Sequence, residues 1–168
     1  MMTGIPYTFT PQLVKQMMEM GHGEDMLILD CDFPYQQIDF QTEVLYIPVR
    51  SIADFLKDIL NYFPLDYIIE SAACSLPSVK EGPRFDQYTK LVEENGSKYS
   101  IIEKYNFFEI VKDVKCVVRT ADSVKGSAIL LTKGVVLAEG EEPRKVTEYQ
   151  RNRLKTTHEY PNYKRWML

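Results

Sequence analysis

Gly21-His22-Gly23-Glu24-Asp25-Met26-Leu27-Ile28-Leu29-Asp30-Cys31-Asp32-Phe33-Pro34 is the stretch that decides how this 168-residue chain folds. Met26–Leu29 is a short, unbroken apolar run, the signature of a strand buried on both faces. Upstream, Thr10 is placed to cap a helix and Pro11 suits its first position. Leu13, Val14, Met17 and Met18 recur at helical spacing, and Gly21 fits a helix stop. Downstream, Asp30 stands at the strand's carboxyl end and Phe33-Pro34 turns the chain.

The same alternation continues. Val44–Val49 reads as a strand that Pro48 pushes toward a sheet edge. Ser51-Ile52-Ala53-Asp54 resembles a capping box, and Ile52, Phe55, Leu56, Ile59, Leu60 and Phe63 then form an amphipathic stripe ended by Pro64. The remaining pattern predicts strands near Tyr67–Ile69, Ser100–Ile102, Cys116–Arg119, Ala128–Leu131 and Val135–Ala138, with helices at Arg84–Glu94 and Phe107–Val114. Strands alternating with helices imply an α/β fold, a mostly parallel sheet with helices on both faces.

Composition narrows the function. The net charge of −4 and pI of about 5.3 argue against a general nucleic-acid binder, because phosphate neutralisation needs a basic surface. No apolar run approaches the roughly 20 residues of a membrane span, and Met1–Pro6 lacks a signal-peptide pattern. A soluble, cytoplasmic protein without a membrane partner is expected. Cys31, Cys74 and Cys116 are widely spaced and odd in number, so they read as small buried hydrophobes rather than a zinc site or disulfide framework. Charge is uneven along the chain. Residues 144–168 carry seven basic and two acidic side chains, a net of +5, which leaves −9 for residues 1–143. The expected division is a domain at 1–143 and a basic, aromatic tail at 144–168.

Two histidines are present. His158 lies in the polar tail. His22 sits between glycines, which permit a tight turn and keep bulk from the imidazole. Ligand crevices of open α/β sheets lie outside the carboxyl ends of strands, so Asp30 is expected at such a crevice, with His22 facing the same space. An imidazole titrating near pH 6.5 can give or take a proton at neutral pH. On pattern alone His22 is either a catalytic acid/base or a satisfied turn histidine. Asp30-Cys31-Asp32 also admits a magnesium-dependent phosphotransferase of the haloacid dehalogenase type, which places two Asp residues two apart at a strand end. That motif wants Thr or Val where Pro34 stands. A metal site from His22, Asp30 and Asp32 finds no further ligands at motif spacing. No dinucleotide, Walker or nucleophile-elbow motif occurs.

Taken in order, Gly4-Ile5-Pro6, Thr10-Pro11-Gln12-Leu13, Glu19–Asp25, Asp30 and Phe33-Pro34 resemble the start of the L-fucose mutarotase/D-ribose pyranase family, the fucose branch more closely. The similarity continues through Asp54-Phe55-Leu56, Pro64-Leu65-Asp66, Lys104–Glu109, Thr120-Ala121-Asp122 and Ile129–Val135, covering about residues 4–137. The resemblance implies a sugar mutarotase/pyranase-like fold and an enzyme that interconverts monosaccharide anomers with no cofactor and no metal. It implies His22 as proton donor and acceptor, with Asp30 and Lys104 contacting the sugar. It also implies self-association into a ring-like homo-oligomer, typically a decamer, with sites near subunit contacts.

The chain departs from the family pattern at several places. Gly126-Ser127-Ala128 stands where Tyr-Gly-Asn or Tyr-Ala-Asn is usual, Lys104 where the fucose branch has Arg, Tyr46 and Pro48 where it has Arg and Asp, and Asp32 where it has Asn or His. These differences keep open a non-catalytic monosaccharide-binding protein on the same fold. The tail, with Tyr149, Tyr160, Tyr163 and Trp166 among its basic residues, has no counterpart in the resemblance and reads either as a segment that docks on a neighbouring subunit or as a mobile tail.

Overall fold

The computed structural model describes residues 3–66 and 72–141. In chain order the elements are α1 (Pro11–Glu19), β1 (Asp25–Leu29), β2 (Val44–Tyr46), α2 (Ile52–Leu60), β3 (Ala73–Ser75), α3 (Arg84–Glu94), β4 (Tyr99–Ile101), α4 (Lys104–Ile110), β5 (Cys116–Arg119) and β6 (Ile129–Thr132). The expected strand near Tyr67–Ile69 and the tail at 144–168 lie outside the described residues.

The six strands form one sheet in the order β2-β5-β1-β6-β3-β4. β2, β5 and β1 run parallel, as do β3 and β4, while β6 is antiparallel to both β1 and β3. Five strands therefore share one direction and one central strand opposes them, so the sheet is mixed, mostly parallel as expected. β2 is an edge strand, in keeping with Pro48 just beyond it, because proline cannot donate to a ladder. Val135–Ala138 is not a strand. Val135 and Val136 are exposed and pair with nothing across the sheet, so a short apolar run is not sufficient there.

β1 is buried along its whole length and serves both sides of the sheet. Met26 and Ile28 enter the core beneath α1, α2 and α3, whereas Leu27 and Leu29 face the core built with Phe107 and Ile110 of α4. All six residues of the α2 stripe, from Ile52 to Phe63, are buried, each contributing about 1.5–3 kcal/mol of transfer free energy for the larger side chains. The Ser51 hydroxyl accepts the N–H of Asp54 at 3.2 Å and caps that helix.

α1 begins as expected, with the Thr10 hydroxyl accepting the N–H of Leu13 at 3.2 Å. Its end differs from expectation. Met20 is extended, and the left-handed residue is Gly23 (φ +83) rather than Gly21. The last-turn carbonyls of Met17 and Met20 are instead capped by the Lys133 ammonium, brought in from the end of β6.

Two ends of the β1–β6 pair position the candidate chemistry. At the carboxyl end of β1, residues 120–128 must pass from β5 to β6 over the strand that lies between them. At the other end, residues 21–24 and 64–66 clasp the end of β6. The Gly23 N–H donates to the Lys133 carbonyl at 2.8 Å, and the Asp66 N–H donates to the Thr132 carbonyl at 3.0 Å.

Candidate functional site

His22 and Asp30 lie at opposite ends of β1. A five-residue strand spans roughly 16 Å at about 3.3 Å per residue, so within one chain they do not share the single crevice expected from sequence. The physical reason is the strand itself: His22 precedes Asp25 and Asp30 follows Leu29.

At the amino end, His22 Nε2 lies 3.0 Å from Asp66 Oδ2. The imidazole is 46% exposed and the carboxylate 4%. Gly134 allows the approach that makes this possible, since a Cβ there would collide with the Leu65 carbonyl and come within 2.9 Å of the Asp66 nitrogen. Ser97 Oγ donates to the Asp66 carbonyl at 2.8 Å and anchors the same segment from the other side. In the sequence Asp66 stands out only as part of the Pro64-Leu65-Asp66 pattern. Forty-four residues separate it from His22, and no local signal links the two.

At the carboxyl end, Asp30 is 2% exposed. Its Oδ1 accepts the N–H of Asp32 at 3.1 Å and its Oδ2 accepts the N–H of Ala128 at 3.1 Å. The Cys31 N–H donates to the Asp122 carbonyl at 2.9 Å. The loop crossing from β5 to β6 thus roofs the strand end. Burial pushes the Asp30 carboxyl above the usual carboxylate range, with the backbone N–H donors opposing the shift.

The roof has its own buried anchor. Asp122 accepts the Ile52 N–H (2.8 Å) and the Val124 N–H (2.9 Å), and pairs with Arg84 Nη2 at 2.7 Å. The Tyr88 hydroxyl donates to the Ser127 carbonyl at 2.7 Å. Gly126 is left-handed (φ +70), and a Cβ there would lie 2.6 Å from Ser78 Oγ. Position 126 therefore has no room for a side chain in this backbone.

Lys104 is exposed at the first position of α4. β4 runs parallel to β1, so Lys104 stands at the same end of the strands as Asp30 and the opposite end from His22. Phe33, just beyond Asp30, stacks on Phe108 of α4 with ring centroids 5.8 Å apart and ties the two segments together. Asp32 is exposed.

Among the described residues, no cluster of three His, Cys, Asp or Glu side chains could hold a metal ion, and no helix is long and apolar enough to cross a membrane. The buried Asp30, both of whose oxygens hold backbone N–H groups, is poorly arranged as a phosphotransferase nucleophile.

The sequence profile of the RbsD / FucU transport protein family matches residues 3–136. A fucose mutarotase of Danio rerio is 34% identical over 143 residues, covering 79% of this chain and 93% of that protein. Of solved structures, FucU from Bifidobacterium longum superposes with a TM-score of 0.72 at 31% identity, over 79% of this chain and 100% of the other. The fucose mutarotase of Streptococcus pneumoniae in complex with L-fucose gives a TM-score of 0.70 at 26% identity, over 81% and 100%.

Proposed function

The chain belongs to the RbsD / FucU transport protein family, and on that premise we propose that it is a monosaccharide mutarotase, an isomerase acting on L-fucose or a related sugar. The observation that carries this reading is the half-exposed imidazole of His22 held 3.0 Å from the buried carboxylate of Asp66. The likeness to fucose mutarotases supports it.

The chemistry is modest. The imidazole takes the proton of the anomeric hydroxyl and, as imidazolium, gives it to the ring oxygen as the bond between that oxygen and the anomeric carbon breaks to leave the open aldehyde. Rotation about the adjoining carbon–carbon bond followed by the reverse steps gives the other anomer. Atoms and charge balance without a metal or cofactor. General acid–base catalysis supplies about 10²–10⁴-fold, or roughly 3–5 kcal/mol of barrier, which suits a reaction already measurable in water.

His22 is the acid/base in this reading, with sugar contacts from Asp30 and Lys104. Because those two stand at the other end of the strands from His22, a site that uses all three draws on two copies of the chain. A contact that joins one end of the strands in a subunit to the opposite end in the next is heterologous, and such contacts close into rings when the rotation permits. The ring-like homo-oligomer that the family resemblance implies, typically a decamer, is the assembly such a shared site would use.

A non-catalytic sugar-binding protein is the second reading, favoured by the side-chain-free turn at Gly126 and the roofed Asp30. Proton NMR magnetisation transfer between the anomers of fucose, ribose, rhamnose and galactose separates the two. Exchange accelerated for one sugar, and lost in His22→Ala, is the expected result. Line broadening without acceleration would replace the mutarotase by the binding protein.

A further inference from the structure

We propose that Asp66 is the positioning residue that holds His22 as its Nε2–H tautomer, so that Nδ1 is the atom exchanging protons with the sugar. The inference rests on the mutarotase reading and deepens it.

The two nitrogens of an imidazole are not equivalent, and the hydrogen bond made by one sets which of them carries the proton. Asp66 Oδ2 lies 3.0 Å from Nε2. An ionised carboxylate only accepts hydrogen bonds, so Nε2 must be the donor and Nδ1 keeps the lone pair. The carboxylate is 4% exposed while the ring is 46% exposed. The orienting group is thus inside the protein and the ring turns its remaining surface outward.

Neighbouring charges are committed elsewhere. Glu24 Oε2 accepts the Gly21 N–H at 2.7 Å, Asp25 Oδ1 accepts the Thr132 hydroxyl at 2.6 Å, and Lys133 caps the carbonyls of Met17 and Met20. These groups, with Asp66, are the charged side chains carried by the turn and by the segments that clasp it.

The backbone around the pair is over-determined. Residue 66 hangs on β6 through Thr132, and the His22 turn hangs on β6 through Lys133, the very next residue. The imidazole and the carboxylate are therefore referenced to two adjacent residues, Thr132 at the end of β6 and Lys133 just beyond it. That common mounting fixes their separation without relying on either flexible side chain. It also explains why a carboxylate distant in sequence, rather than Asp30, is the partner of the imidazole.

The test uses the full chain in a His158→Gln background, which leaves His22 as its sole imidazole. A long-range nitrogen–proton correlation spectrum reads the tautomer directly, above the pH where the ring titrates. Nε2–H is expected in the parent. In Asp66→Asn the amide can turn its NH2 toward the ring, so Nδ1–H should become populated. Anomer exchange should fall at least about tenfold, and by no more than the roughly 10²–10⁴-fold that acid–base catalysis supplies. The loss should appear in kcat rather than in KM. Asp66→Glu keeps a carboxylate and should recover the Nε2–H signature with part of the rate. Nδ1–H in the parent, an unchanged tautomer in Asp66→Asn, or equal losses in both variants would overturn the proposal. If the parent accelerates no sugar, the mutarotase reading fails, whereas the tautomer is still read from the spectrum.

Discussion

The Asp30 carboxylate accepts the backbone N–H of Ala128 at 3.1 Å, fastening the end of β1 to the residue that begins β6's approach. A charge at the closed end of a sheet is thereby held against a roof of main chain, not left in an open crevice.

Desolvation gives Asp30 a pH signature. Its carboxyl is raised above the usual range, so the folded chain binds that proton more tightly than the unfolded chain. Its contribution to stability is full below the unfolded value of about 3.9 and is lost as pH rises through the folded value. Asp30→Asn removes this dependence. Urea melts of both proteins at pH 4 and pH 7 should show the stability difference shifting toward the variant at the higher pH. A constant difference would mean that burial does not act on this carboxyl.

Arg84 and Asp122 form a buried ion pair, 9% and 0% exposed at their side chains. The same carboxylate accepts the first helical N–H of α2, so it links β5, α2 and α3. Arg84→Met leaves an uncompensated charge and should cost about 3–5 kcal/mol. Equilibrium urea unfolding measures this, and a loss below about 1 kcal/mol would contradict the assignment.

Gly134 and Gly82 make a paired test of close approach. A Cβ at Gly134 would strike main-chain atoms of Leu65 and Asp66, whereas at Gly82 it would meet only Val124 Cγ1 at 3.6 Å. Gly134→Ala should destabilise by about 1–3 kcal/mol as overpacking does and displace Asp66 from His22. Gly82→Ala should stay within about 0.5 kcal/mol of the parent. Thermal melts, with the chemical shifts of His22, distinguish the two.

Thiol chemistry reports the same burial. Cys74 and Cys116 are fully buried and Cys31 is half-buried. Burial pushes the Cys116 thiol up to about 12, and partial burial with the Asp32 and Asp30 carboxylates raises Cys31 as well. Labelling of the native protein should modify Cys31 alone, slowly near pH 7 and faster as pH rises, because the thiolate is the nucleophile. All three thiols should react once the chain is unfolded in denaturant. Rapid native modification of Cys116 would contradict the burial of β5.

Much of the fold is legible because its signals are local. Arg84–Glu94 and Cys116–Arg119 coincide with the expected helix and strand, since an amphipathic stripe or a short apolar run is complete within its own segment. β3 is not legible. Its three residues, Ala73-Cys74-Ser75, are buried but carry neither a long apolar run nor alternation. The positions of His22 and Asp30, in a glycine-flanked turn and at a strand end, are legible because both signals are local. Their separation was also implicit, because an extended strand lies between them.

Patterning along the chain was enough to specify an α/β protein, the helices that cover it, and the imidazole and carboxylate at either end of β1. Long-range placement alone set the direction of β6, the roof over Asp30 and the meeting of His22 with Asp66. The reason is one of scale. Periodicity and capping act over a few residues, whereas strand order and the pairing of residues 22, 66 and 133 arise only when distant segments compete for the same hydrogen-bond partners around one core.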